Sequence, residues 1–301
     1  MRLAFRYPVT PLPDLAGAVL RGDVRASAKA MSLVEAGGER ASTLLRQLYP
    51  SSGRARRIGL TGPPGAGKST LAGRLASRFR ANGEAVGVLA IDASSPFTGG
   101  ALLGDRIRMQ HLAHDRGVFI RSMGSGESQG GLAASSLDVV RVMEAMGKDV
   151  VLLETVGVGQ TAIDIIYQVE TTVAVLVPES GDEVQSMKAG LLEAADIVVV
   201  NKADRPGADG LTMDLIDSAC CRGSWCVPVL KVSAESSEGV DALLEQMEKH
   251  AQHLDATGEG EARRTEQLRR ELLGRGVADG TVESILSKIL AGEGTPYDVF
   301  G

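Results

Sequence analysis

With 301 residues, 44% of them hydrophobic, the chain is long enough for one large core with appendages or for two small domains. A net charge of −6 and an aromatic content of 3% exclude the basic footprint and stacking platforms of a direct nucleic-acid binder. No apolar run approaches the roughly 20 residues that span a bilayer, and the N-terminus lacks a secretory pattern, so a cytoplasmic protein with no membrane or nucleic-acid partner is expected.

Residues 1–56 are rich in alanine and leucine, with Leu44, Leu45 and Leu48 at helical spacing and breaks at 37–38 and 49–53, which predicts a helical N-terminal extension. From 57 to 256, the runs "IGLTG", "AVGVLAID", "VFIRS", "DVVLLET", "TTVAVLVP", "DIVVVNKAD" and "VPVLKVSA" alternate with amphipathic segments. That alternation predicts an α/β fold whose mostly parallel central sheet is buried on both faces and flanked by helices. A polar, glycine-containing stretch, "DATGEGEARR" (255–264), reads as a linker into a C-terminal helical arm over 257–301. There, Leu268, Leu272 and Leu273 are expected to form one apolar stripe, and Ile285, Leu286, Ile289 and Leu290 another. Such stripes must be covered by the chain's own body or by a second subunit. The three cysteines, Cys220, Cys221 and Cys226, are an odd, clustered set without metal-like spacing, and they read as free buried thiols of a reducing compartment.

The segment Gly62-Pro63-Pro64-Gly65-Ala66-Gly67-Lys68-Ser69-Thr70 contains G-x-x-x-x-G-K-[ST] between a strand signal and a helix signal. Glycines let the backbone wrap closely, so that N–H groups and the helix N-terminus face phosphates. Lys68 is placed at the β- and γ-phosphates, and the Ser69 hydroxyl at Mg²⁺.

The base is read from "VVVNKAD", which holds Asn201, Lys202 and Asp204 at a strand end. The Asp204 carboxylate can accept from both N1–H and the N2 amine of guanine, whereas adenine would leave it unpaired, so GTP and GDP are expected rather than ATP. Asn201 can hold the loop and the base edge, and the Lys202 stem can lie over the purine face. In "VSA" (232–234), Ser233 and Ala234 complete the base loop, with the Ala234 N–H expected to reach guanine O6.

The hydrolytic end is read from "DVVLLETVGVGQT", where Glu154 closes a buried strand and Gly157 follows three residues later. A carboxylate at this position serves Mg²⁺, and the glycine N–H meets the γ-phosphate. Glutamate is one methylene longer than the more common aspartate, which leaves room to orient water. Gln160 is not assigned that role, because in Ras-like enzymes the water-orienting glutamine directly follows the glycine. Asp92 closes another strand and reaches the same metal shell, while Asp105 and Arg106 lie near the end of a switch-like segment. No residue is obviously preset to orient water, so hydrolysis is expected to be slow alone and faster with a partner.

Taken in order, "GPPGAGKST", "AIDASSPFTGGALLGDRIRM", "ETVGVGQT", "PESGDEVQSMKAG" and "VVVNKAD" resemble the MeaB/ArgK family of G-protein chaperones for adenosylcobalamin-dependent acyl-CoA mutases. The resemblance runs from about residue 58 to 235. It implies a SIMIBI-type P-loop GTPase, homodimeric through its C-terminal arm, that gates cofactor loading and helps eject inactivated cofactor. It implies Asp92, Asp105 and Glu154 around Mg²⁺ and water, and Lys188 as a catalytic residue that swings toward nucleotide when the partner is present. The chain departs from the family at Thr161-Ala162, where relatives carry a Ser-Glu pair, and in the loose base loop "SAESSEG". Two further readings stand beside it. A nickel metallochaperone GTPase would need transferable ligands, for which His111 with His114, His250 with His253, and the cysteines are the candidates. A transport-linked kinase would need an acceptor pocket and a base placed for it.

Overall fold

The computed structural model describes residues 12–92, 109, 112, 114–124, 135–155, 167–180, 191–218 and 221–298. Three helices come first: α1 (Leu12–Leu20), α2 (Val24–Ala36) and α3 (Glu39–Leu48). Asp23 starts α2 by accepting the Ala26 N–H at 2.8 Å. Gly37 and Gly38, with φ of 71° and 86°, supply the turn into α3 that a side chain would resist.

The strands are β1 (Arg56–Thr61), β2 (Val86–Asp92), β3 (Val118–Gly124), β4 (Val150–Glu154), β5 (Thr171–Leu176), β6 (Ile197–Val200), the short pair β7 (Cys221–Arg222) and β8 (Trp225–Cys226), and β9 (Val229–Lys231). Seven of them form one sheet in the order β3-β2-β4-β1-β5-β6-β9, every neighbouring pair parallel. Every residue of β4, β5 and β6 is buried, which is why those strands read as unbroken β-branched and apolar runs. Helices α4 (Lys68–Ala81), α5 (Ser135–Ala145), α6 (Leu191–Ala194), α7 (Ala208–Ser218), α8 (Val240–Thr257), α9 (Glu259–Gly274) and α10 (Asp279–Leu290) complete the described α-helices.

The helices cover both sides of the sheet. Met31, Val34, Leu44 and Leu48 of the N-terminal helices share a cluster with Val139 and Met143 of α5 and with Val151 and Leu153 of β4. On the other side, Leu71, Leu75 and Phe79 of α4 and Leu243 and Met247 of α8 pack on Ile58, Leu60, Leu152 and Val173.

The C-terminal segment departs from the sequence reading. The expected linker is helical: α8 runs to Thr257 and α9 starts at Glu259, with Gly258 at φ 74° as the only break. Glu259 and Glu261 in the first turn of α9 suit the positive helix N-terminus, and the alanine and arginines that follow are strong helix formers. Leu268 and Leu272 are buried against Val277, Val282, Leu286 and Ile289, whereas Leu273 and Leu290 are 40% and 57% exposed. The stripe thus follows i, i+4, and the predicted third member turns outward.

Arg57 and Arg141 of the body fasten α9 to it. Arg57 donates to Glu170 from Nη2 at 2.6 Å and to Gln267 at 2.9 Å, and Arg141 donates to Glu271 at 2.7 Å. Burial opposes ionisation of Glu170, but the Arg57 charge beside it prevails and holds its carboxyl below the usual range. Tyr297 is fully buried near the chain end, its OH donating to Asp138 and its carbonyl accepting from Arg46 Nη2 at 2.7 Å.

The cysteine expectation is also corrected for Cys221 and Cys226, while Cys220 lies outside the described residues. Antiparallel pairing places Cys221 opposite Cys226 on an exposed hairpin, and the two form a disulfide.

Candidate functional site

Because the sheet is parallel, the C-terminal ends of β1, β4, β6 and β9 open on one edge. The chain order reverses there, with β4 and β5 on opposite sides of β1, and such a crevice is where open α/β sheets bind ligands. The loop after β1 is built on two glycines that cannot be replaced without movement. A Cβ on Gly62, whose φ is 143°, would lie 2.0 Å from the Val175 carbonyl oxygen; on Gly67, at φ 85°, it would lie 2.4 Å from Asn201 Nδ2. Pro64 and Gly65 form the exposed tip, Ala66 is buried, and α4 begins at Lys68.

Lys68 is buried, with Nζ donating to the Gly62 carbonyl at 2.8 Å and the Pro63 carbonyl at 3.0 Å. The ammonium is thereby held inside the loop that would wrap a phosphate. Ser69, also buried, donates from Oγ to Glu154 Oε1 at 2.6 Å, while Thr70 is half-buried on the next position of the helix. Glu154 sits where β4 stands between β1 and β2, in register with Leu60 and Ala90. Asp92 closes β2 two residues beyond that point, so its backbone reaches the same edge. A hydroxyl and a carboxylate oxygen meeting at the start of α4 are the hard donors that Mg²⁺ takes. Asp105, Arg106, Gly157, Gln160, Thr161, Ala162 and Lys188 lie outside the described residues.

Asn201 connects the phosphate end to the base end. Its Nδ2 donates to the Ala66 carbonyl at 2.7 Å, and its Oδ1 accepts the Ala234 N–H at 3.0 Å. The Ala234 N–H, expected at guanine O6, is therefore given to Asn201 here. Lys202 adopts φ 55°, which turns the chain so that Asp204 emerges into solvent. A hydrogen bond from the Ser233 side chain holds the Asp204 carboxyl below its ordinary range, so it is ready as an anion acceptor. Arg205 beside it forms an exposed ion pair with Glu179.

One contributor escaped the sequence reading. Arg74 of α4 donates from Nε to the Ala234 carbonyl at 2.9 Å and from Nη2 to the Glu235 carbonyl at 2.8 Å. Nothing in the local sequence separates it from a solvated helix arginine. Of the candidate metal-delivery histidines, His111 lies outside the described residues and His114 is exposed, whereas the other pair serves packing: His250 is fully buried, with Nδ1 2.9 Å from Thr171 Oγ1 and Nε2 3.4 Å from Asp196 Oδ1, and the rings of His250 and His253 lie 4.8 Å and 5.4 Å from that of Trp225. Among the described residues no group of three or more His, Cys, Asp or Glu side chains could hold a metal ion, and no helix is long and apolar enough to cross a membrane.

The family profile described as methylmalonyl-CoA mutase-associated GTPase MeaB matches residues 27–288. The chain belongs to the MeaB family. This MeaB-family chain is 44% identical over 285 residues to a protein of Pyrococcus abyssi that carries a provisional GTPase name, covering 92% of this chain and 88% of the relative. It is 34% identical over 284 residues to the GTPase ArgK of Escherichia coli, covering 91% and 84%. Among solved structures, one titled as a LAO/AO transport system kinase superposes with a TM-score of 0.73 at 24% identity, over 95% of this chain and all of the other, a likeness of fold alone. Membership makes this MeaB-family protein a P-loop GTPase, and the site described above lies wholly within the matched residues.

Proposed function

We propose that this MeaB-family GTPase uses GTP to time another enzyme's cofactor: it gates the loading, protection and reactivation of adenosylcobalamin on an acyl-CoA mutase, methylmalonyl-CoA mutase or a close relative. The observation that carries the nucleotide part is the Asn201 bridge, which joins the phosphate loop to the base loop and leaves Asp204 facing outward. The name of the matched family supports the mutase part.

In this reading Lys68 leaves the Gly62 and Pro63 carbonyls for the β- and γ-phosphates, while backbone N–H groups at the start of α4 complete the phosphate cradle. Asp204 accepts the two guanine donors. Mg²⁺ at Ser69 and Glu154, with Asp92 and Asp105 in its shell, would neutralise charge on the phosphates. Glu154 holds the attacking water, Gly157 meets the γ-phosphate, and Lys188 swings toward the nucleotide when the mutase is bound. The body over 57–256 carries this chemistry between an extension over 1–56 and a dimerising arm over 257–301, whose outward Leu273 and Leu290 suit a second copy. The cytoplasm is the expected location.

The test is GTP turnover by the purified protein, alone and with an adenosylcobalamin-dependent acyl-CoA mutase from the same organism, with ATP as the control. A large GTP-specific stimulation is expected. Tight GTP binding without stimulation would refute the timing role, and equal turnover of ATP would refute the base assignment.

A further inference from the structure

We propose that Arg74 is a positioning residue for the purine base: it latches residues 234–235 to the helix that follows the phosphate loop and thereby slows nucleotide release. The inference rests on the guanine-nucleotide reading of the site.

The loop it holds has few other ties. Its base is fixed by the Val232 N–H donating to the Val200 carbonyl at 2.9 Å, and it closes on itself through the Ser233 N–H to the Glu238 carbonyl, also at 2.9 Å. Between these, Ala234 is held on one side by Asn201 and on the other by Arg74. Asn201 in turn holds Ala66. The hydrogen bonds thus form a closed circuit, from the phosphate loop through Asn201 and Ala234 to Arg74 and back along α4 to Lys68.

Arginine suits this position. Its planar fork places two donors on two successive carbonyls, whereas a lysine ammonium is a point charge that cannot copy that spacing. Arg78, one turn further along α4, pairs with Asp241 at the start of α8 at 2.8 Å, but that pair is well exposed and contributes little. The Arg74 bonds are charge-assisted, the one to Ala234 half-buried and the one to Glu235 exposed, and they act on the loop that carries Ser233. Since the Ser233 side chain holds Asp204, loosening the loop loosens the carboxylate that reads the base. Lys68 and Ser69 are bonded to Gly62, Pro63 and Glu154, partners that Arg74 does not touch. Loss of Arg74 should therefore affect the base end and spare the phosphate end.

The experiment uses the full chain with Arg74→Ala and Arg74→Lys. Dissociation of a fluorescent GDP is followed in time, with ADP and inorganic tripolyphosphate as competitors and the denaturation midpoint measured alongside. Arg74→Ala should release GDP about ten times faster, the weight of roughly one charge-assisted hydrogen bond, and should narrow the preference for GDP over ADP. Tripolyphosphate affinity should stay within about twofold of wild type, because that ligand reads the phosphate end alone. Arg74→Lys should recover part of the retention, and it decides the matter if the alanine variant fails to fold. Unchanged GDP release, or equal losses for GDP and tripolyphosphate, would overturn the proposal. A wild-type protein with no preference for GDP over ADP would refute the guanine reading, and the latch with it; intact wild-type preference with unmoved variants would refute the latch alone.

Discussion

Gly67→Ala tests whether the phosphate loop and the base loop are mechanically one unit. Gly67 holds φ 85°, a conformation that costs an L-residue about 1–2 kcal/mol. The added Cβ would also lie 2.4 Å from Asn201 Nδ2, so the amide has to leave its place. Its displacement breaks the 2.7 Å bond to Ala66 and the 3.0 Å bond from Ala234, and a buried backbone group left without a partner costs about 1–3 kcal/mol. With two such groups orphaned, the predicted loss is about 3–8 kcal/mol, or about 10–25 °C in Tm for a domain of this size. Thermal and urea unfolding, each with and without GDP, would measure it. Gly65→Ala is the internal control: its φ is 75°, but its Cβ would meet nothing within 4 Å, so it reports backbone strain without collision. If the collision acts through Asn201, then Gly67→Ala combined with Asn201→Ala should cost less than the sum of the two single changes. Equal midpoints for Gly67→Ala and Gly65→Ala, or full additivity with Asn201→Ala, would refute the coupling.

Two further outcomes follow from named groups. Asp204→Asn should shift base preference from guanine toward xanthine by roughly 100-fold or more, since the amide can donate to the O2 that replaces N2; nucleotide competition measures it, and unchanged guanine preference would remove Asp204 from base reading. Asp196, buried immediately before β6, accepts the Thr172 N–H at 2.8 Å and a bond from Arg263 Nη2 at 2.9 Å. Burial alone would raise its carboxyl, but the His250 and Arg263 contacts outweigh it and lower the value from 3.8 to about 2. A folded value below the unfolded one stabilises the fold above pH 3.8, and the contribution disappears as pH falls from 3.8 toward 2. The size is about 2 kcal/mol. Urea midpoints across pH 6 to 2 for wild type and Asp196→Asn should converge on the acid side, and parallel curves would exclude this role.

The parts of this protein readable from sequence were those whose constraints are local. A phosphate loop needs glycines, a lysine and a hydroxyl at fixed spacing after a strand, so Gly62 to Ser69 announced both their place and their chemistry. Strands buried on both faces need continuous apolar runs, so β4, β5 and β6 and the parallel α/β class were plain in the order of residues. Local composition misled where long-range packing decided. The polar stretch 255–264 has the look of a linker, yet its charges are drawn into helix by bonds such as Arg263 to Asp196 and Arg264 to Glu170, residues far away in sequence. Leu273 matched the apolar spacing of its neighbours, but only the position of α10 settled which side of α9 is covered. Cys221 and Cys226 met because a hairpin register set them opposite one another, which spacing does not reveal.

The site divides in the same way. Lys68, Ser69, Glu154, Asn201 and Asp204 are singled out by chemistry that one residue type performs at one kind of strand end, and the structure sets Ser69 against Glu154 and Asn201 against Ala66. Arg74 performs no such chemistry. Its partners are backbone carbonyls 160 and 161 residues away, and a carbonyl is the same atom in every residue. Sequence alone therefore determined which groups are expected at the nucleotide, while only the tertiary structure decided what holds those groups in place, because hydrogen bonds to the backbone are specified by position in space and not by the identity of the residue that accepts them.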